Sequence, residues 1–212
     1  MFYLDLVSLC GVSVTNHAAR TLELAAQRGV LRARDLDSAA IPRATLSRLI
    51  DSGRLKKLSR GLYALPDRLL SENHQLAEVA ARCPLGVYCL LTALRFHQLT
   101  TQNPHELWLA LPNKAHAPRV EYPPVRIIRY SGPALNEGIE VHTVDGVPVR
   151  VYSVAKTVAD CFKHRHKIGL DVALEALREC RRERRATGDD LWRYAKICRV
   201  ANVMRPYLES IS

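Results

Sequence analysis

The chain has 212 residues, 48% of them hydrophobic, and carries 31 Lys and Arg against 21 Asp and Glu, a formal net charge of +10. This length fits one large domain or a small one joined to a medium one, and the apolar share excludes a chain too polar to bury a core. The charge excess favours nucleic acid or an anionic membrane surface as partner.

The first segment, "MFYLDLVSLCGVSV", is apolar but has Asp5 and no basic residue ahead of its hydrophobic run, and it is too short to span a bilayer. Residues 1–15 therefore read as an N-terminal extension, an extra strand or helix ahead of the first domain, or a leader. Residues 16–27 place Ala18, Leu22, Ala25 and Ala26 on one helical stripe that stops at Gly29. A short helix fits 33–39. A third opens near Pro42, a residue suited to a first helical turn, and ends at Gly53. "RLKKL" and "LYAL" around "SRG" predict a hairpin turning at Gly61. Helix, helix, turn, helix, hairpin is the order of a winged helix-turn-helix, here over residues 16–66.

A linker follows Pro66 and ends near Asn73. The remainder, 74–212, predicts helices at 74–83 and 86–97, then strands at "ELWLALP", "VRIIRYS", "IEVHTV" and "VPVRVYS", with Asp145-Gly146 as a tight turn. Helices follow over 153–165, 169–184 and 189–199, then a short end piece. Strands and helices without βαβ alternation indicate an α+β domain.

Charge is concentrated in two places. Residues 43–60 hold Arg43, Arg48, Arg54, Lys56, Lys57 and Arg60 against Asp51 alone, and residues 163–185 hold eight basic against four acidic side chains. In a helix-turn-helix the second helix enters the major groove and its exposed residues reach base edges. The residues placed there are Arg43, Thr45, Ser47 and Arg48, with Leu46, Leu49 and Ile50 facing the core. Arg can grip guanine bidentately, and the hydroxyls serve bases or phosphates. The hairpin adds Arg54, Lys56, Lys57, Ser59 and Arg60, the last placed to enter a minor groove. The competing reading is a solvated helix and a charged edge strand. A second basic patch, Arg178, Arg181, Arg182, Arg184 and Arg185, is interleaved with Glu179 and Glu183 and reads first as a solvated helix end, then as another nucleic-acid contact.

The stretches "LSRLIDSGRLKKLSRGLYAL", "CLLTALRFHQLTTQNPHELWLALP" and "VPVRVYSVAKTVADCF" resemble the AbiEi family of bacterial antitoxins, the regulatory half of type IV toxin-antitoxin systems. The resemblance runs from about Val14 over nearly the whole chain. It implies a winged-helix domain that binds operator DNA and represses its own operon; because single winged helices often act in pairs, inverted repeats are the expected operator. It also implies a C-terminal domain that counteracts a nucleotidyltransferase toxin, without a stable complex with it. Where family members often have Ser or Thr capping the second helix and Gly in the inter-helix turn, this chain has Arg32 and Ala39-Ala40. The alternatives are a stand-alone winged-helix regulator and a nucleic-acid-processing enzyme.

Other motifs carry less. "SVAK", 153–156, has the S-x-x-K spacing of a serine nucleophile and its lysine base, but no S-D-N or K-T-G accompanies it. Ser153 as a helix cap, with Lys156 and Asp160 paired at i,i+4, explains it better. His164 and His166 diverge on a helix and have no third metal ligand. Phosphate-loop motifs are absent, and Trp108 and Trp192 read as core. The six cysteines, Cys10, Cys83, Cys89, Cys161, Cys180 and Cys198, form no C-x-x-C pair and read as reduced core residues of a cytoplasmic protein. The expectation is a non-enzymatic DNA-binding protein without cofactor, metal or membrane partner.

Overall fold

A computed structural model describes residues 9–59, 61–67, 71–118, 120 and 122–210. The chain is of mixed α+β class and divides into two compact units, Met1–Ala81 with Thr143–Val147, and Arg82–His142 with Pro148–Ser212.

The first unit opens with α1, Leu9–Arg28, which extends through residues 9–15 of the expected extension. Its inward stripe is Ala18, Thr21, Leu22 and Ala25, while Ala26 is exposed. After Gly29, at φ +79°, come β1 (Leu31–Arg32), α2 (Ala33–Ser38) and α3 (Ala44–Asp51), then the hairpin β2 (Lys56–Ser59) and β3 (Leu62–Ala64), and α4 (His74–Arg82). β1 pairs antiparallel with β3, giving a three-stranded sheet of order β1-β3-β2; this two-residue strand was not expected. Ala25 of α1, Leu31 of β1, Leu36 of α2 and Leu46 and Leu49 of α3 form one core with Ile41 and Leu55, and Tyr63 of β3 packs against it. α3 stops because Gly53 takes φ +69°, and the backbone N–H groups of Arg54 and Leu55 fold back onto the Leu49 carbonyl at 2.9 and 3.0 Å.

The second unit contains β4 (Val87–Tyr88), α5 (Leu90–Phe96), β5 (Leu107–Pro112), β6 (Val125–Tyr130), α6 (Pro133–Asn136), β7 (Ile139–Val144) and β8 (Val147–Tyr152). The tip of its β7–β8 hairpin groups with the first unit. The mixed five-stranded sheet has the order β6-β5-β4-β8-β7. Helices α7 (Val154–Lys163), α8 (Arg165–Ile168), α9 (Leu170–Arg182), α10 (Gly188–Ile197) and α11 (Ala201–Ser210) follow. The β7–β8 turn is Asp145-Gly146, both at positive φ, as the sequence predicts. Residues 86–97 are not one helix: Val87–Tyr88 is a strand and the helix starts at Leu90. Trp108 lies in the core, whereas Trp192 is half-buried beneath the cations of Lys196 and Arg205. Cys89, Cys161, Cys180 and Cys198 are buried free thiols and Cys83 is half-buried; the Cys10 side chain lies outside the described residues. Among the described residues no helix is long and apolar enough to cross a membrane.

Candidate nucleic-acid interface

Helices α2 and α3 are joined by Ala39–Arg43. Ala40 takes φ +53°, a conformation that favours glycine, and Ile41 N–H returns to the Leu36 carbonyl at 2.9 Å. At the start of α2, Arg32 supplies no cap side chain. Asp35 does the work instead, its carboxylate accepting the Arg32 N–H at 2.8 Å and pairing with Arg28 at 2.8 Å.

Across the inter-helix turn, Arg43 and Asp37 form a two-pronged pair, Nε to Oδ1 at 3.0 Å and Nη2 to Oδ2 at 2.5 Å. Donation from Arg43 holds the Asp37 carboxyl below its ordinary value, and Asp37 raises Arg43 in turn. The fork assigned to base reading is therefore already bound by a carboxylate six residues earlier.

The outer face of α3 is Ala44, Ser47, Arg48 and Asp51, at helical spacings of three, four and seven. Thr45 is not on it. Only 7% exposed, it shares the inner face with Leu49 one turn later, so its hydroxyl cannot reach a base, and the expectation for Thr45 is corrected. Ser47 and Arg48 are exposed, as are Arg54, Lys56 and Lys57 beyond the helix end. Among the described residues Arg48, Arg54, Lys56 and Lys57 meet no acid, and neither does the exposed Arg34 of α2, which the sequence reading passed over. Arg60 and the Ser59 side chain lie outside the described residues; the backbone of Ser59 pairs with Leu62 across a bulge beside Gly61 at φ +78°. A cationic surface uncompensated by acids is what phosphate binding requires.

The second patch is more neutralised. Arg182 pairs with Glu179 and, at 3.6 Å, Glu183; Arg185 reaches Glu183 at 3.6 Å and donates to the His97 carbonyl at 3.4 Å. Arg178, Arg181 and Arg184 have no acid partner among the described residues.

Ser153 occupies the cap position of α7, but its side chain accepts no capping hydrogen bond and its buried Oγ has no partner among the described residues, so the expected cap is corrected. Lys156 and Asp160 pair as the spacing predicts, at 2.5 Å, and both are fully buried. Cys198 Sγ donates to the other Asp160 oxygen at 3.2 Å, and the Lys156 ammonium lies 4.1 Å from the Tyr152 ring centre.

Residues 19–66 match the family described as transcriptional regulator, AbiEi antitoxin. The match lies within the first unit and includes α2, α3 and the hairpin. No curated protein matches the chain. Among solved structures, the Rv2827c protein from Mycobacterium tuberculosis is similar with a TM-score of 0.58 at 15% identity, over 85% of this chain and 71% of that one. At that identity the likeness is one of fold.

Proposed function

We propose that the protein is a DNA-binding transcriptional repressor and the antitoxin of a type IV, AbiE-like toxin-antitoxin system. It acts in the cytoplasm without catalysis, represses its own operon and counteracts a nucleotidyltransferase toxin encoded alongside. The observation that carries the reading is the set Arg48, Arg54, Lys56 and Lys57, which meets no acid among the described residues and runs from the outer face of α3 into the hairpin, inside the segment that matches the regulator family. On this reading residues 16–66 are a winged helix-turn-helix whose α3 lies in the major groove, where Ser47 and Arg48 read bases. Lys56, Lys57 and Arg54, with Ser59 and Arg60, meet flanking phosphates. Arg43 serves as a spacer held by Asp37. Two copies on an inverted repeat would give the operator its symmetry. The cations Arg178, Arg181 and Arg184 would add general affinity without sequence preference.

The test pairs a repression reporter with a growth assay in which the toxin is co-expressed. Arg48→Ala should abolish operator repression, and replacing Arg178, Arg181 and Arg184 by Gln should leave operator preference intact. Full repression by a folded Arg48→Ala protein would remove α3 from the interface.

A further inference from the structure

The second unit holds a cleft of about 910 Å³ that neither the sequence nor the regulator reading accounts for. It is lined by Arg129 and Tyr130 at the end of β6, Lys163 and Arg165 around the α7–α8 junction, and Lys196 and Arg199 at the end of α10. Five cations from three distant parts of the chain thus face one space. Glu137, the acid on its wall, is already paired with Arg193 at 2.9 Å. No carboxylate among the described residues pairs with any of the five.

Their positions are fixed by neutral groups, so the charge is oriented without being cancelled. Arg129 Nη1 donates to the carbonyls of Pro112 and Ala115 at 2.7 and 2.6 Å, and Arg165 Nη1 donates to that of Phe162 at 3.0 Å. Lys163 sits 5.2 Å from the Tyr130 ring centre and Lys196 5.5 Å from that of Trp192. Arg199 closes α10 at φ +60°, a position that favours glycine, yet an arginine stands there.

Two buried polar atoms lack a partner among the described residues: the Tyr130 hydroxyl, on a side chain 3% exposed that lines the cleft, and Nε2 of the neighbouring His164, whose ring is tilted against Tyr130 at 5.6 Å. Burial first, then the nearby Lys167, Lys163 and Lys156, holds His164 down at about 4. The remaining lining is apolar in part: Pro133, Ala134, Ile197, Val200 and Val203. Volume, charge and this apolar share match a small organic polyphosphate rather than a duplex, whose cylinder meets convex or grooved surfaces.

We propose that this cleft is a binding site for a nucleoside triphosphate, with the phosphates held by Arg129, Lys163, Arg165 and Arg199 and the nucleoside against Ile197, Val200 and Val203. The inference goes beyond the DNA-binding reading and does not depend on it.

The test is calorimetric titration of the full chain with ATP, with inorganic tripolyphosphate and with duplex DNA at about 150 mM salt, repeated with Arg165→Gln/Arg199→Gln. ATP should bind saturably at micromolar concentration and more tightly than tripolyphosphate. The double variant, its folding checked by thermal melting, should bind at least tenfold more weakly while Arg178→Gln binds normally. Equal binding of ATP and tripolyphosphate, displacement of ATP by duplex DNA, or an unchanged affinity in the double variant would each overturn the assignment. Loss of operator binding by Arg48→Ala with ATP binding retained separates this site from the interface of the first unit.

Discussion

Replacing Asp37 by Asn should make DNA binding more salt-sensitive, because it releases an arginine that the structure shows tied up. In the 43–60 stretch Arg48, Arg54, Lys56 and Lys57 meet no acid among the described residues, whereas both prongs of Arg43 lie on Asp37 at 3.0 and 2.5 Å. Each neutralised phosphate contributes about −0.9 to the slope of log affinity against log salt, so four contacts give roughly −3.6 and about a 150-fold loss between 50 and 200 mM. Freeing Arg43 adds a fifth contact, for a slope of roughly −4.5 and about a 500-fold loss. Any contribution from Arg60 enters both slopes equally, so the informative quantity is the difference of about one unit. Fluorescence anisotropy with a labelled operator duplex at five salt concentrations measures it. If Asp37→Asn leaves the slope unchanged, Arg43 does not face the DNA. If Arg43→Ala already flattens the wild-type slope by one unit, Asp37 yields the guanidinium to phosphate, and the spacer role is refuted.

Arg48→Ala should weaken operator binding by roughly 1–3 kcal/mol while sparing scrambled DNA more, as competition gel shifts would show. Ala40→Gly should stabilise the first unit by roughly 0.5–1 kcal/mol in urea denaturation, since the residue sits at φ +53°; destabilisation would mean the turn relaxes elsewhere. Asp160→Ala strands the Lys156 ammonium in the core and should cost about 3–5 kcal/mol, whereas Lys156→Met/Asp160→Leu should cost much less; equal losses would refute the buried-pair account. Stability should fall as pH drops from about 6.5 toward 4. Over that window the unfolded chain protonates His164 and His97 while burial keeps both neutral in the fold, and His164, held at about 4, contributes on the order of 1–2 kcal/mol after its partial exposure is allowed for. His164→Gln should flatten that dependence.

The α+β class, the helix-hairpin order of the first unit and the Asp145-Gly146 turn were legible because each rests on a local signal: a 3.6 period, a breaker, a residue pair made for positive φ. Thr45 was misplaced by residue type, although its spacing of four from Leu49 puts it inside. Val87–Tyr88 reads as part of a helix in the sequence because a continuous apolar run has no period to separate strand from helix. The spacing of Lys156 and Asp160 predicts their i,i+4 pair but not its burial, since α7 is buried from Val154 to Phe162 and only tertiary packing decides that. Asp37 could have been found from its opposite charge across a short turn from Arg43. The cleft cations could not, since Arg129, Lys163 and Arg199 are brought together only by the fold.

The short central strand of the five-stranded sheet also governs how that sheet comes apart. β5 and β6 pair over six residues each, Leu107–Pro112 against Val125–Tyr130, while β4 joins β8 through the single parallel pair Tyr88–Val151. Both ladders are parallel, so the difference lies in length, six residue pairs against one. The sheet thus has a well-knit β5–β6 half and a thin seam between β4 and β8. In native-state hydrogen exchange the amides of β5 and β6 should form the slowest block, with those of β7 and β8 released earlier by a partial opening along the seam that leaves the other half intact.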